Sequence, residues 1–143
     1  MDDELKREII LDNYANPINK KVVDDSSYLT SNTNNESCID NIDLYVKVED
    51  NVIKDICFNG EACAISTSST SIMIKNLIGK TIDEAKEYII NFEHMINEEE
   101  YDSNILKDAI VYEDIYKQKN RVKCAHLPYV GIRKIIDKIN NMW

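Results

Sequence analysis

Ile42-Asp43-Leu44-Tyr45-Val46-Lys47-Val48-Glu49 alternates apolar and polar residues without a break. Successive side chains of an extended strand point to opposite faces, so Ile42, Leu44, Val46 and Val48 define a core face and Asp43, Tyr45, Lys47 and Glu49 an outer one. Glu49-Asp50-Asn51 supplies turn chemistry, and residues 52–58 return with Ile56 and Phe58 inward, which predicts an antiparallel hairpin. Cys57 then points away from the core face, as a partly exposed or packing residue rather than a metal ligand.

Toward the N-terminus, Asp2 or Asp3 can cap a helix running to about Tyr14, with Leu5, Ile9, Asp12 and Tyr14 near one side, and Asn16-Pro17 stops it. Residues 18–37 read as irregular, with at most a short strand over 28–31. Toward the C-terminus, Ser66-Thr67-Ser68-Ser69-Thr70-Ser71 is locally linker-like. Ile65, Ile72, Met73 and Leu77 nevertheless fall at helical spacing and Gly79 suits a C-terminal cap, so a helix over 64–78 is favoured. Thr81-Ile82-Asp83-Glu84 fits a capping box for a further helix to about Ile96 that buries Ala85, Ile89, Phe92 and Ile96. An exposed acidic turn, Glu98-Glu99-Glu100, follows. Residues 105–116 form a weaker helical stretch around Leu106, Ala109, Ile110 and Glu113, and residues 118–121 break the pattern. Pro128 fits the first turn of a final helix striped by Ile132, Ile135, Ile136 and Ile139. No segment repeats at a fixed period. These elements predict one α+β domain over residues 1–143, a small antiparallel sheet of about three strands packed against several helices.

The chain has 143 residues, with 17 Lys and Arg against 26 Asp and Glu and a formal charge of −9. A domain of this length buries about two-thirds of its unfolded surface, so a metal is not needed merely to fold it. The acidic balance and the lack of a basic block argue against nucleic acid and anionic membranes as partners. The acidic opening resembles neither a secretory signal nor a transit peptide, and no run approaches the roughly 18 apolar residues of a membrane span. A soluble, cytoplasmic protein is expected, and in a reducing compartment its four cysteines are expected to be buried, metal-bound or reactive rather than paired.

Cys38, Cys63 and Cys124 each stand where one predicted element hands over to the next, and Cys38-Ile39-Asp40 adds a carboxylate. Three thiolates and one carboxylate suit zinc, which accepts both donor types and imposes no d-electron geometry. Residues two apart in extended chain point the same way, so Cys38 and Asp40 could reach one ion; a strand cap is the plain alternative for Asp40. Cys63 at a helix N-terminus has its thiolate favoured by the dipole, or is simply a small buried hydrophobe. The long intervals between these cysteines match no local zinc-finger spacing. His126, two residues beyond Cys124, could offer an imidazole to the same ion or cap the final helix, whereas His94 reads as a helix-surface residue. The hydroxyl run has no G-x-S-x-G setting, which argues against a serine hydrolase.

With these residues in hand, the chain resembles the U-type iron-sulfur assembly proteins, the SufU/IscU family with its NifU N-terminal-like fold, over nearly its whole length. Asp12-Asn13-Tyr14-Ala15-Asn16-Pro17 looks like the family's D-H-Y-x-N-P, Asn35-Glu36-Ser37-Cys38-Ile39-Asp40 like N-P-x-C-G-D, Phe58 to Ser66 like F-x-G-x-G-C-x-I-S, and Arg121-Val122-Lys123-Cys124 like R-x-K-C. Lys123, where IscU has histidine, and the extra segment 97–120 resemble the SufU branch. Ile39 and Ala62 stand where the pattern has glycine, Glu36 where it has proline, and Lys21 where a glycine usually follows. A positive φ at residue 39 would strain the β-branched Ile39, which makes Asp40 the ligand whose placement depends most on this chain's own sequence.

The resemblance implies zinc held by Cys38, Asp40, Cys63 and Cys124. It also implies sulfur accepted on Cys38 from a PLP-dependent, SufS-like cysteine desulfurase and passed to a downstream iron-sulfur assembly complex. Docking of the desulfurase would free the Cys38 thiolate for attack on the enzyme-bound persulfide. An IscU-like scaffold building a [2Fe-2S] cluster on the same residues is the alternative, and a structural zinc adaptor without sulfur transfer is a third.

Overall fold

The computed structural model describes residues 1–35 and 39–140, so Cys38 lies outside the described residues. Its elements are α1 (Asp3–Ala15), β1 (Leu29–Asn34), β2 (Asn41–Glu49), β3 (Val52–Glu61), α2 (Ala64–Leu77), α3 (Ile82–Ile96), α4 (Ser103–Leu106), the 3₁₀ turns Lys107–Tyr112 and Ile115–Lys117, and α5 (Lys119–Asn140). The strands form an antiparallel sheet in the order β1-β2-β3, as the alternation predicts, and helices cover its apolar face.

Ile42, Leu44 and Val46 are buried and pair with Gly60, Phe58 and Ile56. Asp50 and Asn51 both take positive φ, 51° and 63°, which matches the twist of a tight hairpin. The register slips between Lys47 and Val48, so Ile53 joins Ile56 in the core. Of the two expectations for Cys57, packing holds: it is fully buried. Residues 19–21 pair along the edge of β3, with the Phe58 amide donating to the Asn19 carbonyl at 3.1 Å and the Lys21 amide to the Phe58 carbonyl at 2.8 Å.

The first strand is longer than the sequence predicts. Leu29–Asn34 is almost wholly polar and carries no apolar period, yet it pairs residue for residue with β2. It is an edge strand whose outward carbonyls at Thr30 and Asn32 accept from Lys138 Nζ (2.7 Å) and Lys134 Nζ (3.0 Å) of α5. Lysine over a sheet edge is a familiar guard against unwanted strand pairing.

α1 is capped by Asp2, which accepts from the Leu5 amide at 2.8 Å. Its inward side is corrected: Lys6 and Asn13 are buried, while Leu5 and Tyr14 are exposed. The partners explain this, since Lys6 Nζ meets Asp114 at 2.9 Å and Asn13 Oδ1 accepts from Ser71 Oγ at 2.7 Å and Lys75 Nζ at 2.8 Å. A buried polar side chain with every need met can replace an apolar one at a helix contact.

α2 is the helix favoured over a linker, and all six of its consecutive hydroxyl residues are buried. Short side chains let α1 and α5 pack against it, and their hydroxyls find acceptors: Thr70 on the Ser66 carbonyl at 2.7 Å and Ser69 on the Ala125 carbonyl at 2.6 Å. α3 carries the full capping box at Thr81 and Glu84 and buries Ala85, Ile89, Phe92 and Ile96. The stretch 105–116 is not a continuous α-helix, because Lys107 takes φ 49° and the chain continues as 3₁₀ turns.

The last helix begins nine residues before Pro128 instead of at it, so Cys124 sits inside α5 rather than ahead of it. Ile132, Ile135 and Ile136 are buried, but Ile139 is exposed at the end of the stripe. Gly131 marks the crossing of α5 over the sheet: a Cβ there would lie 2.8 Å from Thr33 Oγ1 and 2.9 Å from Leu44 Cδ1. Gly131→Ala is therefore expected to lower stability by about 1–3 kcal/mol through overpacking, read as a reduced midpoint of urea unfolding. No described helix is long and apolar enough to cross a membrane.

Candidate metal centre

The hairpin register builds the site. Asn41 opens β2 opposite Glu61 at the end of β3, so Asp40 and Cys63, just outside the ladder, leave the sheet side by side. Cys63 is the N-cap of α2 and its Sγ accepts from the Ser66 amide at 3.4 Å. The Asp40 carboxylate accepts from the Cys63 amide at 2.7 Å and from Ser66 Oγ at 2.6 Å. Cys124 comes from the second turn of α5, and ligand atoms of Asp40, Cys63 and Cys124 all lie within 4.8 Å of one another.

Pro128 contributes to this placement from four residues away. Proline has no N–H, so the Cys124 carbonyl loses its normal intrahelical donor; Ser66 Oγ lies 3.0 Å from that carbonyl as well as 2.6 Å from Asp40. Ser66 carries one proton, and its carboxylate contact is the shorter, so the hydroxyl ties the β2 side of the site to the α5 side. Ser66→Ala should cost about 1–3 kcal/mol of stability, because it leaves a buried carboxylate oxygen short of a donor, and should weaken metal retention. Thermal unfolding and metal content of the variant check both.

Asp40 and Cys124 are buried and Cys63 is partly so. Burial pushes the Cys124 thiol up to about 12, reinforced by the neighbouring Cys63 and Asp40. Three groups that would all be anionic cannot share this space comfortably unless a cation offsets their repulsion. Two sulfurs and one carboxylate oxygen converging in a water-poor pocket are a donor set that fits a divalent ion such as zinc, with one position left for a further ligand. Ile39 is largely exposed, and Asp40 reaches the group with isoleucine beside it.

His126 takes neither of the roles considered for it. It lies inside α5, with Nε2 2.8 Å from Glu93 Oε2, and Arg133 grips the same carboxylate at 2.6 Å and 2.9 Å. Burial alone would push Glu93 up, but His126 and Arg133 outweigh it and hold the carboxyl below its ordinary value. His94 rests at the surface end of α3, with Nδ1 3.1 Å from the Glu100 carbonyl. The sequence reading did not single out Ser66 or Glu93. Pro128 was the available signal for Ser66, since a proline four residues after Cys124 leaves a carbonyl needing a donor.

The fold and this group define a small α+β protein with a thiolate-carboxylate site at the junction of a hairpin, a hydroxyl-rich helix and a C-terminal helix. The chain belongs to the NifU-like N terminal domain family, whose pattern matches residues 5–125. It is 36% identical over 137 residues to the zinc-dependent sulfurtransferase SufU of Bacillus subtilis, covering 95% of this chain and 92% of that one. It is 37% identical over 133 residues to the iron-sulfur cluster assembly scaffold protein IscU of Thermotoga maritima, covering 93% of each. Among solved structures, a putative iron-sulfur cluster assembly scaffold protein for the SUF system from Fervidobacterium islandicum superposes with a TM-score of 0.84 at 34% identity, over 88% of this chain and 92% of that one. The N-terminal NifU-like protein of Brucella abortus, 21% identical with a TM-score of 0.86 over 99% and 98%, shares the fold.

Proposed function

We propose that this chain is a zinc-dependent sulfur acceptor of iron-sulfur cluster assembly, taking sulfur from a PLP-dependent cysteine desulfurase. The observation that carries the reading is the convergence of Asp40, Cys63 and Cys124, to which Cys38 adds the fourth ligand and the acceptor thiol. Zinc, when bound, supplies the positive charge that keeps these sulfurs deprotonated and close together. Cys63 at the positive end of α2 and the Ser66 contacts to Asp40 hold the rest of the set in place while Cys38 acts.

The transfer is a thiol-disulfide type exchange. The Cys38 thiolate attacks the terminal sulfur of the donor's cysteine persulfide; the donor's S–S bond breaks, its cysteine leaves as thiolate, and a new S–S bond forms on Cys38. The terminal proton travels with the sulfur and no outside oxidant is needed. Lys123 stands immediately before Cys124, so the cysteine set has no histidine at that position, which supports the sulfur-acceptor branch.

The second reading, a scaffold on which a [2Fe-2S] cluster is built, is supported by the near-equal identity to the Thermotoga protein. Elemental analysis of protein purified without added metal, followed by incubation with desulfurase and cysteine, separates them. Stoichiometric zinc and a persulfide on Cys38 are expected; iron with visible absorbance after anaerobic reconstitution, and no persulfide, would favour the scaffold. Undiminished desulfurase stimulation by Cys38→Ala would remove that residue as acceptor.

A further inference from the structure

Both halves of α5 hold the same carboxylate. His126 and Arg133 are separated by two helical turns, so they project from one face, and Glu93 of α3 meets both. His126 Nε2 lies 2.8 Å from it, and the Arg133 fork closes on it at 2.9 Å and 2.6 Å. A carboxylate only accepts, so the imidazole presents its Nε2–H to Glu93. The Glu93, His126 and Arg133 side chains are 17%, 30% and 31% exposed, sheltered enough for charge-assisted bonds to outweigh neutral ones.

Pro128 stands between the two contacts. Its missing N–H and its ring interrupt the helical ladder at the Cys124 carbonyl, which makes this the point where α5 bends most readily. The two sides of the break are anchored unequally. Beyond it, Tyr129, Ile132, Ile135 and Ile136 are buried, Tyr129 stacks on Phe92 with ring centroids 3.9 Å apart, and Lys134 and Lys138 reach β1. Ahead of it, Lys119, Asn120, Arg121 and Lys123 are exposed, and of residues 119–127 only Cys124, Ala125 and Leu127 are buried. Little apolar area therefore holds this part of the helix, and regions of that kind open first. Ser69 adds a neutral bond to the Ala125 carbonyl at 2.6 Å; Glu93 supplies the charged one.

We infer that Glu93 is a positioning residue for the metal centre: it fastens residues 119–127, an arm of α5 hinged at Pro128, to the body of the fold and so sets how long Cys124 stays within reach of Asp40 and Cys63. Arg133, on the well-packed side, fixes the carboxylate. His126, two residues beyond Cys124, ties the arm to it. The inference rests on the metal-holding function proposed above and adds what keeps the third ligand in place.

The test cuts the tie at two points. His126→Ala removes the arm's contact and leaves Glu93 with Arg133, so the body of the fold is untouched; Glu93→Gln keeps the shape and removes the charge. Zinc release to a chromophoric chelator is followed in both, together with amide hydrogen exchange of the metal-free chains. Both variants are expected to release zinc about tenfold or more faster than wild type, the worth of one charge-assisted bond, and to exchange faster over residues 119–127 but not over 129–136. Adding Pro128→Ala to Glu93→Gln restores the ladder across the hinge and should bring both readouts back toward wild type. Wild-type release and exchange in both variants overturn the inference. So does exchange that quickens equally on the two sides of residue 128, which would make Glu93 a general brace of the fold, and so does a double variant no better than Glu93→Gln. Faster zinc release in His126→Ala with none in Glu93→Gln would also overturn it, by making the imidazole a ligand. A wild-type chain that binds no zinc overturns the underlying function instead, and hydrogen exchange of the metal-free chains still reads the arm.

Discussion

Cys124→Ala is expected to bring the chain to the stability of the metal-free protein and to abolish stimulation of the desulfurase. A bound ion held at a thousandfold above its dissociation constant adds about 4 kcal/mol to the folded state, which for a chain of this size corresponds to a shift of about 10 °C in Tm. Removing Cys124 takes away one of the two sulfurs within reach of Asp40, so that contribution should vanish. The apo protein should hardly notice the change. Its Cys124 thiol is pushed up to about 12 by burial and the nearby Cys63 and Asp40, so it is uncharged at neutral pH, and alanine fills most of its place. The measurement is a pair of thermal melts, with and without a strong chelator. Wild type should fall by about 10 °C on chelation, and the variant should start low and stay there. A variant that still responds to chelator as wild type does would show that Cys124 is not a ligand.

The two halves of the site were not equally legible in the sequence. The Ile42 to Glu49 alternation and its return strand place Asp40 and Cys63 beside each other, because period-two burial fixes register and register fixes what leaves the ladder together. Cys124 could not be placed that way. Lys119 to Lys123 is polar, with only Val122 to hint at a period, so the first turns of α5 carry no amphipathic signal and Pro128 looked like a beginning. In the fold it is an interior residue, and the Ser66 hydroxyl, whose shorter contact is to Asp40, lies 3.0 Å from the Cys124 carbonyl that has lost its intrahelical donor. That contact joins residues 58 positions apart; what pointed to Cys124 as a site residue was the resemblance of Arg121 to Cys124 to a family motif. β1 was hidden for a related reason, since Leu29–Asn34 is held by its pairing with β2 and by lysines from α5 rather than by apolar burial of its own. α1 showed its cap but not its inward face, because Lys6 and Asn13 are buried through ion pairs and hydrogen bonds that hydropathy cannot register.

Gly60→Ala should unfold or severely weaken the protein by displacing the same corner of the sheet. Gly60 takes φ +126°, and a Cβ there would collide with the Asn41 carbonyl oxygen and lie 3.3 Å from the Ile42 Cα. Both neighbours are backbone atoms of the strand paired with it, so no side chain can swing aside, and the strands must part. Backbone strain of this kind together with an unrelievable clash is expected to cost at least about 3 kcal/mol. The damage should reach the metal centre first. Asn41 follows Asp40, Gly60 leads through Glu61 and Ala62 to Cys63, and the 2.7 Å bond from the Cys63 amide to Asp40 spans the gap. Gly79→Ala is the control: it also has positive φ, +91°, but a Cβ there meets nothing within 4 Å, so a loss of about 1 kcal/mol with full metal content is expected. Thermal unfolding and metal stoichiometry of the two variants, measured side by side, separate strain alone from strain at the site. Full metal retention and a wild-type melt in Gly60→Ala would mean that the β2 to β3 corner yields where the structure shows it closed.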